Sequence, residues 1–252
     1  MKRRFDDKVL FATGGGSGIG AACARRFAAE GGRVAVFDLA GDRAQDVAAE
    51  CENSIGLSGD VSDEASVAAA IQDARTRLGR IDYVLNAAGH VDYDLIEDVS
   101  FERWMRLMHV HAGGTFLVCK HALPFLREQK GAAIVTIASI AALVAYPGAA
   151  VYSSAKGAIL AFSRQLSLDL APEIRVNVIC PGRVHTPLTE VLYEQRWGTY
   201  EQGVEISAQH NLQKRLAEPE EIAGVICFLL SDDASFMTGS VVVVDGGETA
   251  AI

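Results

Sequence analysis

A tyrosine and a lysine four residues apart, in the run Tyr152-Ser153-Ser154-Ala155-Lys156, carry the most chemical information in this chain. On a helix that spacing puts both side chains on one face. A free phenol has a pKa near ~10 and one unit is about 1.36 kcal/mol, so a phenolate useful near neutrality needs roughly 4 kcal/mol of help. A cation about 4 Å away, at an effective dielectric of about 20, supplies on the order of 4 kcal/mol, and a positively charged cofactor ring would add to it. The pair can therefore handle a proton. The same spacing also describes a surface pair on an ordinary helix, and the rest of the chain decides between the two.

The elements that would position such a pair begin with Thr13-Gly14-Gly15-Gly16-Ser17-Gly18-Ile19-Gly20. This run follows the apolar Val9-Leu10-Phe11-Ala12 and precedes the helix-like Ala21 to Ala28, so it reads as strand, tight turn and helix. Glycines let the backbone approach a pyrophosphate, and the helix N-terminus offers free N–H groups and a positive dipole end. A second apolar strand, Val34-Ala35-Val36-Phe37, ends at Asp38, where a dinucleotide fold places an acid on the ribose 2′-hydroxyl. That carboxylate opposes the 2′-phosphate of NADP. Neither the glycine loop nor the residue next to Asp38 supplies a cation to offset it, so the expected cofactor is NAD.

Taken in order, these residues resemble the short-chain dehydrogenase/reductase family, in the branch of single-domain chains of about this length. The match continues through Asp60-Val61, Asn86-Ala87-Ala88-Gly89, Ser139, Tyr152, Lys156, Pro181-Gly182 and Asp245-Gly246-Gly247. The resemblance implies an α/β fold: a Rossmann-like, doubly wound parallel sheet with helices on both faces. It implies interconversion of a secondary alcohol and a ketone by hydride transfer. Tyr152 would be the general acid/base, Ser139 would hold the substrate oxygen, and Lys156 would lower the tyrosine pKa and bind the nicotinamide ribose. Gly14, Ser17, Gly18, Ile19 and Gly20 would surround the pyrophosphate. Asp38 and Leu39 would meet the adenosine ribose, and Asp60 and Val61 the adenine. Asn86, Ala88 and Gly89 would line the route to the nicotinamide, whose end would meet Pro181, Gly182, Val184 and Thr186. The segment from about 187 to 216 would cover the substrate, and four copies would assemble into a homotetramer through two helices of each subunit.

One position departs from the family. His111, in Met108-His109-Val110-His111-Ala112-Gly113-Gly114, stands where asparagine is usual. In such relatives the asparagine's main-chain carbonyl holds a water that extends a proton relay, and its side chain braces the helix. A histidine keeps the carbonyl but brings a larger ring that could titrate near neutrality. His90 is expected at the substrate entrance and His109 in a structural role.

Composition sets the boundaries. The 252 residues are half hydrophobic, enough for one substantial core, and nothing marks a second domain or a repeat. A net charge of −9 with no basic block opposes binding to nucleic acid or an anionic membrane, and Lys2-Arg3-Arg4 reads as a solvated tail. Five scattered cysteines, without metal-ligand spacing, imply reduced thiols, a cytoplasmic setting and no metal site. The uncharged stretch from Ala132 to Ala155 divides into a buried strand, a loop and the start of the Tyr152 helix, and not a membrane span. Strands are expected near 8–13, 33–38, 54–59, 82–87, 132–138, 174–180 and 240–244. Helices are expected over Asp63–Leu78, Phe101–Leu126, Ala150–Leu170 and Glu218–Leu230, with an irregular region at 187–216.

For the substrate, Tyr146, Val144, Tyr193 and Trp197 favour an apolar or cyclic alcohol or ketone, and Arg183 and Arg196 are candidate anion partners. Two alternatives stand beside the alcohol dehydrogenase. A 3-oxoacyl-thioester reductase would share fold and triad but usually takes NADP, which Asp38 disfavours. A catalytically impaired cofactor-binding protein would follow if His111 disabled the relay.

Overall fold

The apolar runs become strands because a parallel sheet covered on both faces hides every side chain of its central strands. In the computed structural model, which describes residues 3–251, these are β1 (Val9–Thr13), β2 (Arg33–Asp38), β3 (Ile55–Ser58), β4 (Tyr83–Asn86), β5 (Ala133–Ile137), β6 (Arg175–Pro181) and β7 (Val241–Val244). They form one parallel sheet in the order β3-β2-β1-β4-β5-β6-β7. Register pairs Thr13 with Phe37 on one side and with Asn86 on the other, so the carboxyl ends share one edge. The order reverses direction between β1 and β4, which opens a crevice at that edge.

One face is covered by α1 (Gly18–Ala29), α2 (Gly41–Ala49) and α9 (Pro219–Leu230), whose Phe27, Val47 and Ile226 pack on Leu10, Val36 and Val135. The other is covered by α3 (Glu64–Leu78), α5 (Gly114–Leu126) and α6 (Ala150–Leu170), with Val67, Val118 and Phe162 against Phe11, Val84 and Ile134. Local signals set the ends. Asp63 caps α3 by accepting from the Ala65 N–H at 3.0 Å, and Gly79 closes it at a φ of 80°. Glu218 and Glu221 form a capping box around Pro219.

Three sequence expectations are corrected. The helix expected over Phe101–Leu126 is present but not regular: α4 (Phe101–Met108) runs into α5 through a wide π-type turn, His109–Gly113, with helical backbone throughout. Gly114 begins α5 there pressed onto Val61, where an added Cβ would lie 2.9 Å from the valine side chain. The region expected to be irregular holds two helices, α7 (Pro187–Trp197) and α8 (Tyr200–Ala208), capped by Thr186 and Thr199. Gly198 separates them at a φ of 88°, and Gly203 lies inside α8 because the Tyr193 ring fills its Cβ space. At the N-terminus, Lys2 lies outside the described residues, but Arg4 is no solvated tail: it is largely buried and donates to the buried Glu30 at 2.9 Å. No helix among the described residues is long and apolar enough to cross a membrane.

Candidate active site

The glycine turn is built for a close neighbour. Gly14 adopts a φ of 60°, and an added Cβ would lie 2.8 Å from the Ala88 backbone; at Gly20 it would lie 2.1 Å from the Gly14 carbonyl oxygen. α1 starts from extended Ser17 without a side-chain cap and without an acid in its first turn, so its N–H groups and dipole face outward into the crevice. The Thr13 hydroxyl accepts from the Ala87 and Ala88 N–H groups at 3.1 and 3.2 Å, tying this turn to the loop after β4. Asp38 ends β2, its two carboxylate oxygens accepting from the Gly16 N–H at 2.9 Å and the Ala40 N–H at 3.0 Å. Leu39 beside it is 73% exposed, a free apolar shelf. These features fit the pyrophosphate and ribose of a dinucleotide: bare N–H groups for one, a fixed carboxylate for the other.

A cavity of about 970 Å³ runs along this edge. Every residue proposed from the sequence for cofactor, substrate or catalysis lines it except Asn86 and Val144. Asn86 is buried and turns its amide away, donating to the Cys119 sulfur at 3.5 Å, while Ala87, Ala88 and Gly89 make that part of the wall. Val184 is held by its main chain, its carbonyl accepting from the Thr189 hydroxyl at 2.7 Å. Thr186 caps α7 next to Gly18.

Tyr152 and Lys156 share a face of α6, with the ammonium 5.7 Å from the centre of the phenol ring. Lys156 is buried and donates to the Ile137 carbonyl at 2.9 Å, without a carboxylate partner. Burial lowers its pKa to about 8. Burial likewise raises the Tyr152 phenol above its usual value, helped by Tyr93 and opposed by the Ser139 hydroxyl. Among the protein's own groups, burial is the largest influence on the phenol. Ser139 stands just past β5 in extended conformation, its hydroxyl accepting from the Ala141 N–H at 3.1 Å. It therefore serves the backbone and faces the phenol as well.

His111 does not titrate near neutrality. Its ring is 1% exposed, and burial together with the charge of Lys156 holds its pKa well below the usual value. Nε2 lies 2.7 Å from the His90 carbonyl oxygen and 3.2 Å from the His90 N–H, so it bonds to that residue's backbone in either tautomer, donating to the carbonyl when protonated and accepting from the N–H when not. Nδ1 is buried without a partner. The ring braces the Gly89–His90 backbone, not its own helix, and stands edge-on to Tyr152 at 5.8 Å. Gly89 is needed for this, since a Cβ there would lie 2.3 Å from the ring. His90 lines the cavity as expected, and His109 is exposed.

Sequence reasoning missed Tyr93 and Glu248. Tyr93 packs on Tyr152 with ring centres 5.4 Å apart, in a loop that Arg103 pins through Asp92 and Asp94. Glu248 is turned inward by Asp245, whose carboxylate accepts from Gly247, from the Thr249 N–H and from the Thr249 hydroxyl at 2.9, 2.8 and 2.7 Å. Its place one residue after Asp245-Gly246-Gly247 was the available signal. Arg183 pairs with Glu248 at 3.1 Å and is not free to meet an anion.

The comparisons agree with this geometry. Residues 14–249 match a family profile described as enoyl-(acyl carrier protein) reductase. Among similar proteins is the meso-2,3-butanediol dehydrogenase of Serratia marcescens, 39% identical over 98% of this chain and 96% of its own. The 2-(S)-hydroxypropyl-CoM dehydrogenase 3 of Xanthobacter autotrophicus is 36% identical over 99% of this chain and 100% of its own. The solved structure of levodione reductase superposes with a TM-score of 0.94 at 34% identity, over 99% of this chain and 100% of that one. The chain belongs to the short-chain dehydrogenase/reductase family. It is an NAD(P)-dependent oxidoreductase of the secondary alcohol and ketone type.

Proposed function

We propose that this protein is an NAD-dependent dehydrogenase that interconverts a secondary alcohol and its ketone, with Tyr152 as the proton-transferring group. The observation that carries the reading is the convergence of Ser139, Tyr152 and Lys156 on one cavity that also holds the glycine turn and Asp38. Gly14, Ser17 to Gly20, Asp38, Leu39, Asp60 and Val61 would hold the adenosine diphosphate portion. Gly89, Pro181, Gly182, Val184 and Thr186 would hold the nicotinamide end. Bound there, the nicotinamide supplies the carbon that gives or takes the hydride and, when oxidised, a positive charge.

The chain's own residues supply the rest. Ser139 fixes the substrate oxygen against the phenol, and Tyr152 takes the proton of an alcohol or returns it to a ketone. Lys156 keeps a positive charge behind the phenol below about pH 8. Tyr93 packs on the phenol ring and shields it from water. The cavity-lining triad speaks against a silent binding protein, and Asp38 against the NADP-linked thioester reductase.

A screen of secondary alcohols with NAD and NADP tests the reading. Turnover with NAD on some of the panel is the expected result; the absence of turnover by folded protein that binds NADH would overturn it. In line with the family, we also propose a homotetramer. Phe116 on α5 and Leu168 on α6, 48% and 73% exposed, offer apolar contacts, and a monomer by light scattering at micromolar concentration would refute the assembly.

A further inference from the structure

The cavity has a charged wall for which hydride transfer has no use. Glu248 is 1% exposed. Its Oε1 accepts from the Tyr146 hydroxyl at 3.0 Å and from Arg183 Nη2 at 3.1 Å, and its Oε2 accepts from Arg183 Nε at 3.1 Å. Arg183 Nη1 also donates to the Ser207 hydroxyl at 3.2 Å. Beside this cluster the Tyr193 hydroxyl is buried next to Arg183, with no well-formed hydrogen bond of its own. Tyr146, Arg183, Tyr193 and Glu248 line the same cavity as Tyr152 and Ser139.

An apolar substrate fits this wall badly. It would press hydrocarbon against a buried ion pair and leave the Tyr193 hydroxyl without a well-formed hydrogen bond. A carboxylate fits no better, because Glu248 already answers the charge of Arg183. A neutral hydroxyl or carbonyl does fit. Three of roughly four lone-pair positions on the Glu248 carboxylate are filled, which leaves one to accept. The guanidinium has five N–H groups and uses three of them here, leaving two to donate.

We propose that Tyr146, Arg183, Tyr193 and Glu248 form a subsite for a second, uncharged oxygen of the substrate, so that the preferred substrates are diols, hydroxyketones or diketones. The inference rests on the dehydrogenase reading above and deepens it. The sequence-based expectation of an apolar wall then holds for only part of the cavity: Trp197 and Leu192 supply it, and Tyr146 and Tyr193 contribute their hydroxyls instead.

The test compares kcat/KM with NAD for 2,3-butanediol and 2,5-hexanediol against 2-butanol and 2-hexanol. It is run on the wild type, Tyr146→Phe and Glu248→Gln. At least one diol should exceed its matched mono-alcohol by about tenfold or more, mainly through KM, because a site built to hydrogen-bond an oxygen rejects the analogue that lacks it. Each variant should shrink that ratio by about threefold or more. Glu248→Gln leaves Arg183 without its counter-charge; if that variant does not fold, Tyr146→Phe, which keeps the ion pair, decides alone. Turnover of mono-alcohols with no diol preference, or a preference that both variants retain, overturns the subsite and leaves the dehydrogenase standing. No turnover of any alcohol by protein that binds NADH overturns both.

Discussion

The two ends of the cavity are made of different material. The nucleotide end is backbone: N–H groups of the turn from Gly14 to Gly20, the register of Thr13 with Asn86, and Asp38 fixed by two main-chain bonds. The substrate end is side chain: Tyr93, Tyr146, Arg183, Tyr193 and Glu248, drawn from five separate segments. A backbone site is specified by neighbouring residues, so it tolerates few changes and fixes a general ligand. A side-chain site can change one residue at a time while the frame stays in place. The difference explains how one frame serves relatives named for meso-2,3-butanediol, 2-(S)-hydroxypropyl-CoM and levodione.

Four measurements would break or sharpen that contrast. The largest effect is expected where the two ends meet. Tyr152→Phe should lower kcat by about 10² to 10⁴ while NADH binding stays intact, since general acid/base groups contribute that much; a smaller loss would move the proton transfer to another group.

The second concerns Lys156. Its folded pKa of about 8 lies below the ordinary 10.5, so the penalty of burying its charge is fully present below pH 8. As pH rises from 8 towards 10.5 the folded protein releases the proton while the unfolded chain keeps it, and stability rises. Lys156→Met removes the charge at every pH. In urea melts without cofactor it should be more stable than wild type at pH 7 by on the order of 3 kcal/mol, with the gap closing towards pH 10.5. A gap that does not change with pH would show that Lys156 is not the source.

At the nucleotide end, Asp38→Ala should narrow the preference for NADH over NADPH by about tenfold, or roughly 1.4 kcal/mol. Arg43 bears on this, because its Cβ stands near the same point beside Gly16 as the Asp38 carboxylate and can assist a 2′-phosphate once the acid is gone. Tighter binding of NADPH than NADH to the wild type would sink the assignment of Asp38.

The smallest effect is expected at His111. His111→Asn should leave kcat/KM within about tenfold and leave the pH profile unshifted, because the ring is neutral and tied to the His90 carbonyl. A loss as deep as that of Tyr152→Phe, with NADH binding intact, would make the ring itself catalytic.

The contrast also explains what could be read from the sequence. The seven strands were legible because each is a short apolar run bounded by turn residues, and the nucleotide end because its ligands sit in short motifs directly after β1, β2 and β3. The π-type turn at His109–Gly113 was not, since nothing in the residue pattern there differs from a regular helix, and the close approach of Gly114 to Val61 is a long-range contact. The lid helices were hidden by Gly198 and Gly203, which look like breakers but serve as a stop and as room for Tyr193. Asn86 was placed correctly on its strand, yet the direction of its amide depends on Cys119 in a helix far along the chain. Tyr93 and Glu248 carry no local signature, and Glu248 points inward only because Asp245 gathers the turn that follows it.

The Thr13 hydroxyl joins the turn that receives the dinucleotide to the loop that ends at Gly89 and His90. In terms of conformational entropy, the two loops are ordered together. A dinucleotide that stills the first also stills the second, so an alcohol arriving afterwards meets a wall whose freedom has already been given up. Bound NADH should on this account tighten the binding of alcohol, and Thr13→Val should weaken that coupling more than it weakens either binding step alone.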